Sequence, residues 1–94
     1  MNLIWIENAR KAFQAVYGQE KGLAVCGAVI PGVMRDFRGM LEKAPAGALV
    51  TEDYRTDDGK TDIHIEGRRE GDGLVITALS VGGSAVDLGG EVRI

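Results

Sequence analysis

Cysteine and histidine each occur once in this chain of 94 residues, as Cys26 and His64. A single cysteine cannot form an internal disulfide framework and fits a reducing compartment, so we expect a cytoplasmic protein. The two side chains are the obvious pair for nucleophilic catalysis. However, Cys26 lies in an apolar run, where a buried thiol is unreactive, and Asp53 offers His64 an ordinary charged partner. The composition therefore disfavours an enzyme.

Long apolar runs and basic clusters are also missing. No stretch approaches the roughly 20 apolar residues of a membrane span, and no basic region precedes an apolar run, so we predict no membrane segment and no secretory signal. The five aromatic residues are scattered, and no basic stripe is present, which disfavours nucleic-acid binding. The net charge of −3 is divided unevenly: residues 1–46 carry six basic and four acidic side chains, and residues 47–94 carry five and ten. This division favours head-to-tail self-association or a basic protein partner, and the alternative is an ordinary solvated face.

Metal and phosphate motifs fail at their defining positions. The acidic segment 57–62 has the composition of a calcium loop, but aligning Gly59 with the EF-hand glycine places Tyr54 and Ile65 at the outer ligand positions. The spacing of the lone cysteine and histidine matches no zinc pattern. The segment 27–32 has glycines before a predicted helix but lacks the Lys-Ser/Thr of a P-loop. We therefore predict neither a metal nor a cofactor.

Glycine is abundant, with 14 residues against two prolines, and marks tight turns between predicted strands. The central segment 60–83 reads as a β-hairpin because residues 61–66 alternate polar and apolar side chains and residues 74–81 follow a Gly-Asp-Gly turn. A three-residue loop with Gly73 in the left-handed conformation pairs Glu70 with Leu74. The same register places aliphatic side chains opposite one another, in the pairs Ile65–Leu79 and Ile63–Val81.

Two further turns extend this hairpin into a meander. Asp58–Gly59 is a favoured two-residue turn, which would follow a strand over residues 49–56 and place Arg55 opposite Asp62. The same register sets Asp53 opposite His64 and Tyr54 opposite Ile63. Gly82–Gly83 makes another such turn and sets Leu79 opposite Val86, after which residues 88–94 continue or end the last strand through an irregularity.

The first half of the chain contains helical periodicity on either side of a wholly apolar run. A helix is predicted from Ile6 to the stop at Gly18, and residues 1–6 are either a strand or the first turn of that helix. The run 22–30 is apolar on every face and, with its valines and flanking glycine and proline, is predicted as a buried strand. A second helix is expected from Pro31–Gly32 to Pro45.

The predicted architecture is a single α+β domain over residues 1–94. It consists of two amphipathic helices and a buried strand followed by a four-stranded antiparallel β-meander. One face of the sheet is expected to be covered by the helices, with these side chains on it: Val50, Tyr54, Ile63, Ile65, Val75, Leu79, Val81, Val86 and Leu88.

The opposite face of the sheet contains the predicted interaction site. It is mostly charged, but the predicted register turns aliphatic side chains of the third strand to the same side, where they form an apolar patch with a charged rim. The candidate interface residues are Leu49, His64, Arg68, Leu74, Ile76 and Ala78. The alternative is that a helix or the N-terminal segment covers this face and leaves no site there.

Three classes of function follow from these patterns. The first is a small non-enzymatic protein–protein interaction module, such as an adaptor, inhibitor or immunity-type protein, that self-associates. The second is a phage-type structural subunit, a head–tail or tail component, that forms a ring. The third is a small-molecule-binding protein or an enzyme, for which the sequence offers no identifiable catalytic set.

Overall fold

The computed structural model describes residues 3–94 and contains two helices and an antiparallel sheet, which confirms the α+β class. The helices are α1 (Ile4–Tyr17) and α2 (Gln19–Lys43). The strands are β1 (Val50–Arg55), β2 (Asp62–Glu70), β3 (Gly73–Val81), β4 (Ser84–Ala85) and β5 (Val92–Arg93). The strand order is β1-β2-β3-β4, and β5 also pairs with β3.

The two helices form a hairpin around Gly18, whose φ of +90° ends α1 where the sequence predicted a stop. Residues 4–6 are the first turn of α1, so they belong to the helix rather than to a strand. Residues 1 and 2 of the same prediction lie outside the described part of the chain. At the crossing, a Cβ on Gly22 would lie 2.4 Å from the Cα of Gln14, so the two backbones meet closely at this glycine.

The strand predicted over residues 22–30 is wrong, because this run is the first half of α2. Its buried side chains continue at helical spacing into the second half of the helix: Gly22, Cys26, Ile30, Val33, Phe37 and Leu41. The helix also does not begin at Pro31, which lies inside it on the exposed side. The misreading has a physical cause. The outer positions Leu23, Ala24 and Ala28 are apolar as well, although they are exposed, so the run carries no polar face to reveal its period.

The pairing of β1 with β2 confirms the predicted register, with Arg55 opposite Asp62, Asp53 opposite His64 and Tyr54 opposite Ile63. The connection itself differs from the predicted two-residue turn. The Thr56 N–H donates to the Thr61 carbonyl and the Gly59 N–H donates to the Thr56 carbonyl, so residues 57–60 form a four-residue loop in which Gly59 has a φ of +72°. This loop has the same centre as the predicted turn, which is why the register is unchanged.

The pairing of β2 with β3 confirms only half of the predicted register. Ile63 faces Val81 and Ile65 faces Leu79, but the register shifts after Glu66, so that Gly67 faces Ile76 and Thr77 is left without a partner in β2. Glu70 consequently faces Gly73 rather than Leu74, which corrects the predicted loop. The positive φ, +55°, belongs to Gly71 and not to Gly73.

This bulge reverses the two faces of β3 in its first half. Leu74 and Ile76 face the helices and are 7% and 0% exposed, and both belong to the hydrophobic core. Val75, predicted on the inner face, instead lies on the outer face, where it is 0% exposed and has Arg68 and Arg93 as its neighbours in register. In a regular strand every second side chain points to the same face of the sheet. One extra residue shifts this alternation, so the side chains before the bulge point to the face opposite to the one that an unbroken strand would give them.

The last part of the chain runs along the free edge of β3. Gly82 and Gly83 form the predicted turn with positive φ at both positions, and the Val86 N–H donates to the Leu79 carbonyl at 2.8 Å. The chain then leaves the edge and returns as β5, where Val92 faces Ile76. Side chains of both helices join one core with the same face of the sheet, so the described residues place no helix on the other face.

Candidate protein-interaction surface

The six residues predicted as an interface do not form one surface. Leu74 and Ile76 lie in the core because of the bulge, which corrects their placement on the outer face. Leu49 is 60% exposed just before β1. His64, Arg68 and Ala78 do lie on the outer face and are half-buried. An apolar patch centred on β3 is therefore absent from the outer face as described for residues 3–94.

Charged groups that satisfy one another occupy the outer face instead. The Nδ1 of His64 lies 2.7 Å from Asp53 Oδ1, and its Nε2 lies 2.7 Å from Glu66 Oε2. Carboxylates only accept hydrogen bonds, so both ring nitrogens must donate, which requires the imidazolium form. The hydrogen bonds from Glu66 and then Asp53 raise the pKa of His64.

Arginines make the other ion pairs on this face. The Nη2 of Arg68 lies 2.7 Å from Glu70 and 2.8 Å from Glu91, and the Nε of Arg55 lies 2.7 Å from Asp62. Each of these arginines has a raised pKa because of its hydrogen bond to a carboxylate. The charged side chains described on the outer face therefore pair with one another, and surface ion pairs of this kind contribute little to stability individually.

The exposed apolar surface lies on the helical layer. A groove of about 600 Å³ runs between α1 and α2. Its apolar lining includes Trp5, Ile6, Leu23, Cys26, Ile30 and Met34. Arg10 is the one charged side chain among the lining residues. Leu23 is 46% exposed here, and Leu3 and Ile4, at the start of α1, are each 54% exposed.

Gly27, inside α2, also lines this groove and has open space where a Cβ would be. A glycine in a helix interior costs about 1 kcal/mol relative to alanine. At Gly22 the close approach of α1 leaves no room for a side chain, which explains the glycine. At Gly27 no atom of the described chain lies where a Cβ would be, so nothing in the described chain requires glycine there. Sequence reasoning missed this surface because it assigned residues 22–30 to a buried strand. The signal was present in the apolar character of every face of that run.

Cys26 lies at the floor of the groove and is 6% exposed, as predicted for a buried thiol. Burial raises the pKa of the thiol, although the nearby Arg10 opposes this shift. Cys26 lies on the helix side of the sheet and His64 on the other side, so the sheet separates them. The two side chains cannot act as a nucleophile–base pair, which requires hydrogen-bond distance.

Within residues 3–94, no group of three or more His, Cys, Asp or Glu side chains is arranged to hold a metal ion. Neither helix is both long and apolar enough to cross a membrane. No family model matches the chain, and no curated protein or solved structure is significantly similar to it. The function is therefore inferred from the surface alone.

Proposed function

We propose that this protein is a non-enzymatic protein-interaction module of the cytoplasm and that it self-associates through the groove between its helices. The observation that carries the proposal is the exposed apolar groove lined by Trp5, Leu23 and Met34, at which the described chain supplies no cover. Exposed apolar grooves with few charges are typical of surfaces that are buried in an assembly.

A second copy of the chain is the occupant that fits this groove best. The helical half of the chain carries a small net positive charge, and the sheet half carries the excess of acidic residues. When two helical hairpins pack face to face, both acidic sheets lie on the outside, far from each other, and each apolar groove covers the other. The two longer dimensions of the molecule, 39 and 26 Å, provide a face that can bury the roughly 800 Å² per partner of a standard interface.

The same surface also suits a ring, the arrangement expected of a phage-type structural subunit. A ring needs two different patches that meet head to tail, whereas a dimer around a two-fold axis uses one patch twice. The number of chains in the assembly distinguishes these alternatives. One groove used by both copies suffices for a dimer, whereas a ring needs a second, different patch, so the dimer is the assembly that we propose.

The test is the oligomeric state of the protein with one charge placed in the groove. We expect the parent to sediment as a dimer and Leu23→Glu to sediment as a monomer, because a carboxylate buried in an apolar interface costs several kcal/mol. Leu23 is 46% exposed in the isolated chain, so the substitution leaves the fold intact. Leu49→Glu is the matched control, since Leu49 is also exposed but lies outside the groove.

Analytical ultracentrifugation over a range of concentrations, with circular dichroism of each variant, provides the measurement. A parent that remains monomeric at high concentration would contradict self-association. If the parent and the Leu23→Glu variant associate equally well, the groove is not the interface. A parent mass of more than two chains that Leu23→Glu lowers would favour the ring.

A further inference from the structure

We propose that the free edge of β1, together with the groove beside it on α2, binds an extended acidic segment of a partner protein by strand addition. This surface is separate from the groove between the helices. It combines an unpaired strand edge, a small-residue floor and two unpaired cations, which are the components of peptide recognition by β-augmentation.

The strand order places β1 at the edge of the sheet. The Thr56 N–H donates to the Thr61 carbonyl at 3.0 Å across the turn to β2. Because hydrogen-bonded pairs alternate along an antiparallel ladder, the even-numbered residues of β1 bond to β2 and the odd-numbered ones point their backbone groups outward. Thr51, Asp53 and Arg55 are therefore available to an added strand.

The outward position of Asp53 has direct support. Its backbone N–H donates to the Oε1 of its neighbour Glu52 at 3.1 Å. In an added strand, a backbone carbonyl would accept a hydrogen bond from this same N–H, so the Glu52 carboxylate takes the place of that carbonyl. Glu52 thus covers the edge in the absence of a partner, as charged side chains often do at sheet edges, and an incoming strand displaces it.

A groove of about 480 Å³ lies next to this edge, on one stripe of α2 that includes Gly32, Asp36, Gly39 and Met40. Tyr54 of β1 marks the junction: its hydroxyl donates to Asp36 and lies 3.8 Å from the sulfur of Met40. Side chains of an added strand that point to the helix side would enter this groove. Gly32 and Gly39 have open space around them, so the floor leaves room for those side chains.

The charges of the groove select an acidic segment. Arg35 and Lys43 line it, and neither forms an ion pair with any described residue. The one acidic lining residue, Asp36, already accepts a hydrogen bond from Tyr54. Arg35 and Lys43 are eight positions apart in the helix, or about 12 Å. This spacing is close to the roughly 13 Å between strand residues four positions apart, whose side chains share a face.

A second copy of β1 is a poor occupant of the same edge. If two copies of β1 paired antiparallel over most of their length, Asp53 of one copy would face Asp53 of the other, or Glu52 would face Glu52. Like charges directly opposite one another destabilise an antiparallel pair. The edge is therefore suited to a different chain.

The test uses a fluorescein-labelled synthetic peptide of alternating threonine and alanine with two glutamates four positions apart, and fluorescence anisotropy as the readout. We expect Arg35→Glu and Lys43→Glu each to weaken binding about tenfold or more. Lys11→Glu on α1 makes the same change in net charge outside the groove and should bind like the parent. Glu52→Gln should bind at least as tightly, because it removes an acidic group from the edge.

Two control peptides separate strand addition from simple charge attraction. A peptide with lysines in place of the glutamates should not bind, and neither should one whose edge-facing amides are methylated, since it keeps both charges but loses its backbone donors. Equal binding of either control would overturn the proposal, as would no binding of the parent protein at about 1 mM peptide. Repeating the titration with Leu23→Glu keeps the result independent of self-association.

Discussion

At the scale of single residues, His64 is the most informative side chain because both of its ring nitrogens face carboxylates. Asp53 reaches it from β1 and Glu66 from its own strand β2, each at 2.7 Å. Ser80 of β3 is its register neighbour on the other side and carries no charge. The arrangement stabilises the imidazolium in the folded protein, so the pKa of His64 lies above its usual value of 6.5.

The single histidine makes this shift directly measurable by NMR titration. We expect the midpoint for His64 to lie above 6.5 and to fall in Glu66→Gln and in Asp53→Asn. Since the folded pKa is raised, the stabilisation is fully present below pH 6.5 and is lost as the pH rises through the folded pKa. The free energy of unfolding of the parent, measured in urea over a series of pH values, should therefore fall across this range, and that of His64→Gln should not show this fall. A midpoint at or below 6.5 would contradict the double ion pair.

At the scale of elements, Gly67 controls how α2 packs on the sheet. A Cβ at this position would lie 2.5 Å from the Val75 carbonyl oxygen and 2.9 Å from a ring carbon of Phe37. The missing side chain lets Phe37, which is fully buried, pack directly on β2. The register also shifts between Glu66 and Gly67, so the bulge and the close helix contact occur at the same place.

We expect Gly67→Ala to lower the free energy of unfolding by about 2 kcal/mol or more, because both contacts must move for the methyl group to fit. Gly73→Ala is the matched control in the neighbouring strand. Gly73 does not have a positive φ, and its Cβ would meet only the flexible end of Arg93 and, at 3.4 Å, the Glu70 carbonyl. Chemical denaturation of the two variants provides the comparison, and equal stabilities would show that Phe37 does not need the space at Gly67.

At the scale of the whole molecule, the structure has two faces of opposite character. The outer face of the sheet balances its own charges, whereas the helical layer exposes apolar side chains and helix-interior glycines. A two-layer domain leaves one side of each layer uncovered. The outer side of the sheet carries charged groups that pair with one another, whereas the groove between the helices is lined mostly by apolar side chains. The asymmetry is the reason for placing the self-association interface on the helices.

Replacing Gly27 with alanine tests the assignment of the interface to the helices, because the substitution should stabilise the fold but weaken self-association. In the monomeric Leu23→Glu background, Gly27→Ala should raise the free energy of unfolding by up to about 1 kcal/mol, since the helix gains and nothing clashes. With Leu23 intact, the same change should weaken self-association, because the methyl group projects into the interface.

Gly39→Ala is the control for this experiment. Gly39 is also inside α2 with open space around it, but it lies outside the groove between the helices. It should stabilise the fold to a similar extent and leave the dissociation constant unchanged. If both alanine variants associate like the parent, Gly27 does not lie at the interface.

The sequence alone determined those features that depend on neighbours along the chain. Gly82–Gly83 specifies its two-residue turn because both residues adopt a positive φ, which glycine does readily, and Gly59 takes the positive φ in the four-residue loop 57–60. Once the Asp58–Gly59 turn is set, the facing of Arg55 with Asp62 follows by counting. The α+β class and the burial of Cys26 likewise follow from local apolar patterns.

Only the tertiary structure decided which face of β3 is buried and what residues 22–30 become. Leu74, Val75 and Ile76 are all apolar, so their pattern allows either face. The register shift at Gly67, where Phe37 packs against β2, accompanies the burial of Leu74 and Ile76 on the helix side. Residues 22–30 are apolar all round, so they fit a strand or a helix until Gly22 packs against Gln14 of α1. The physical reason is the same in both cases: a segment without a polar face has no local preference that outweighs long-range packing.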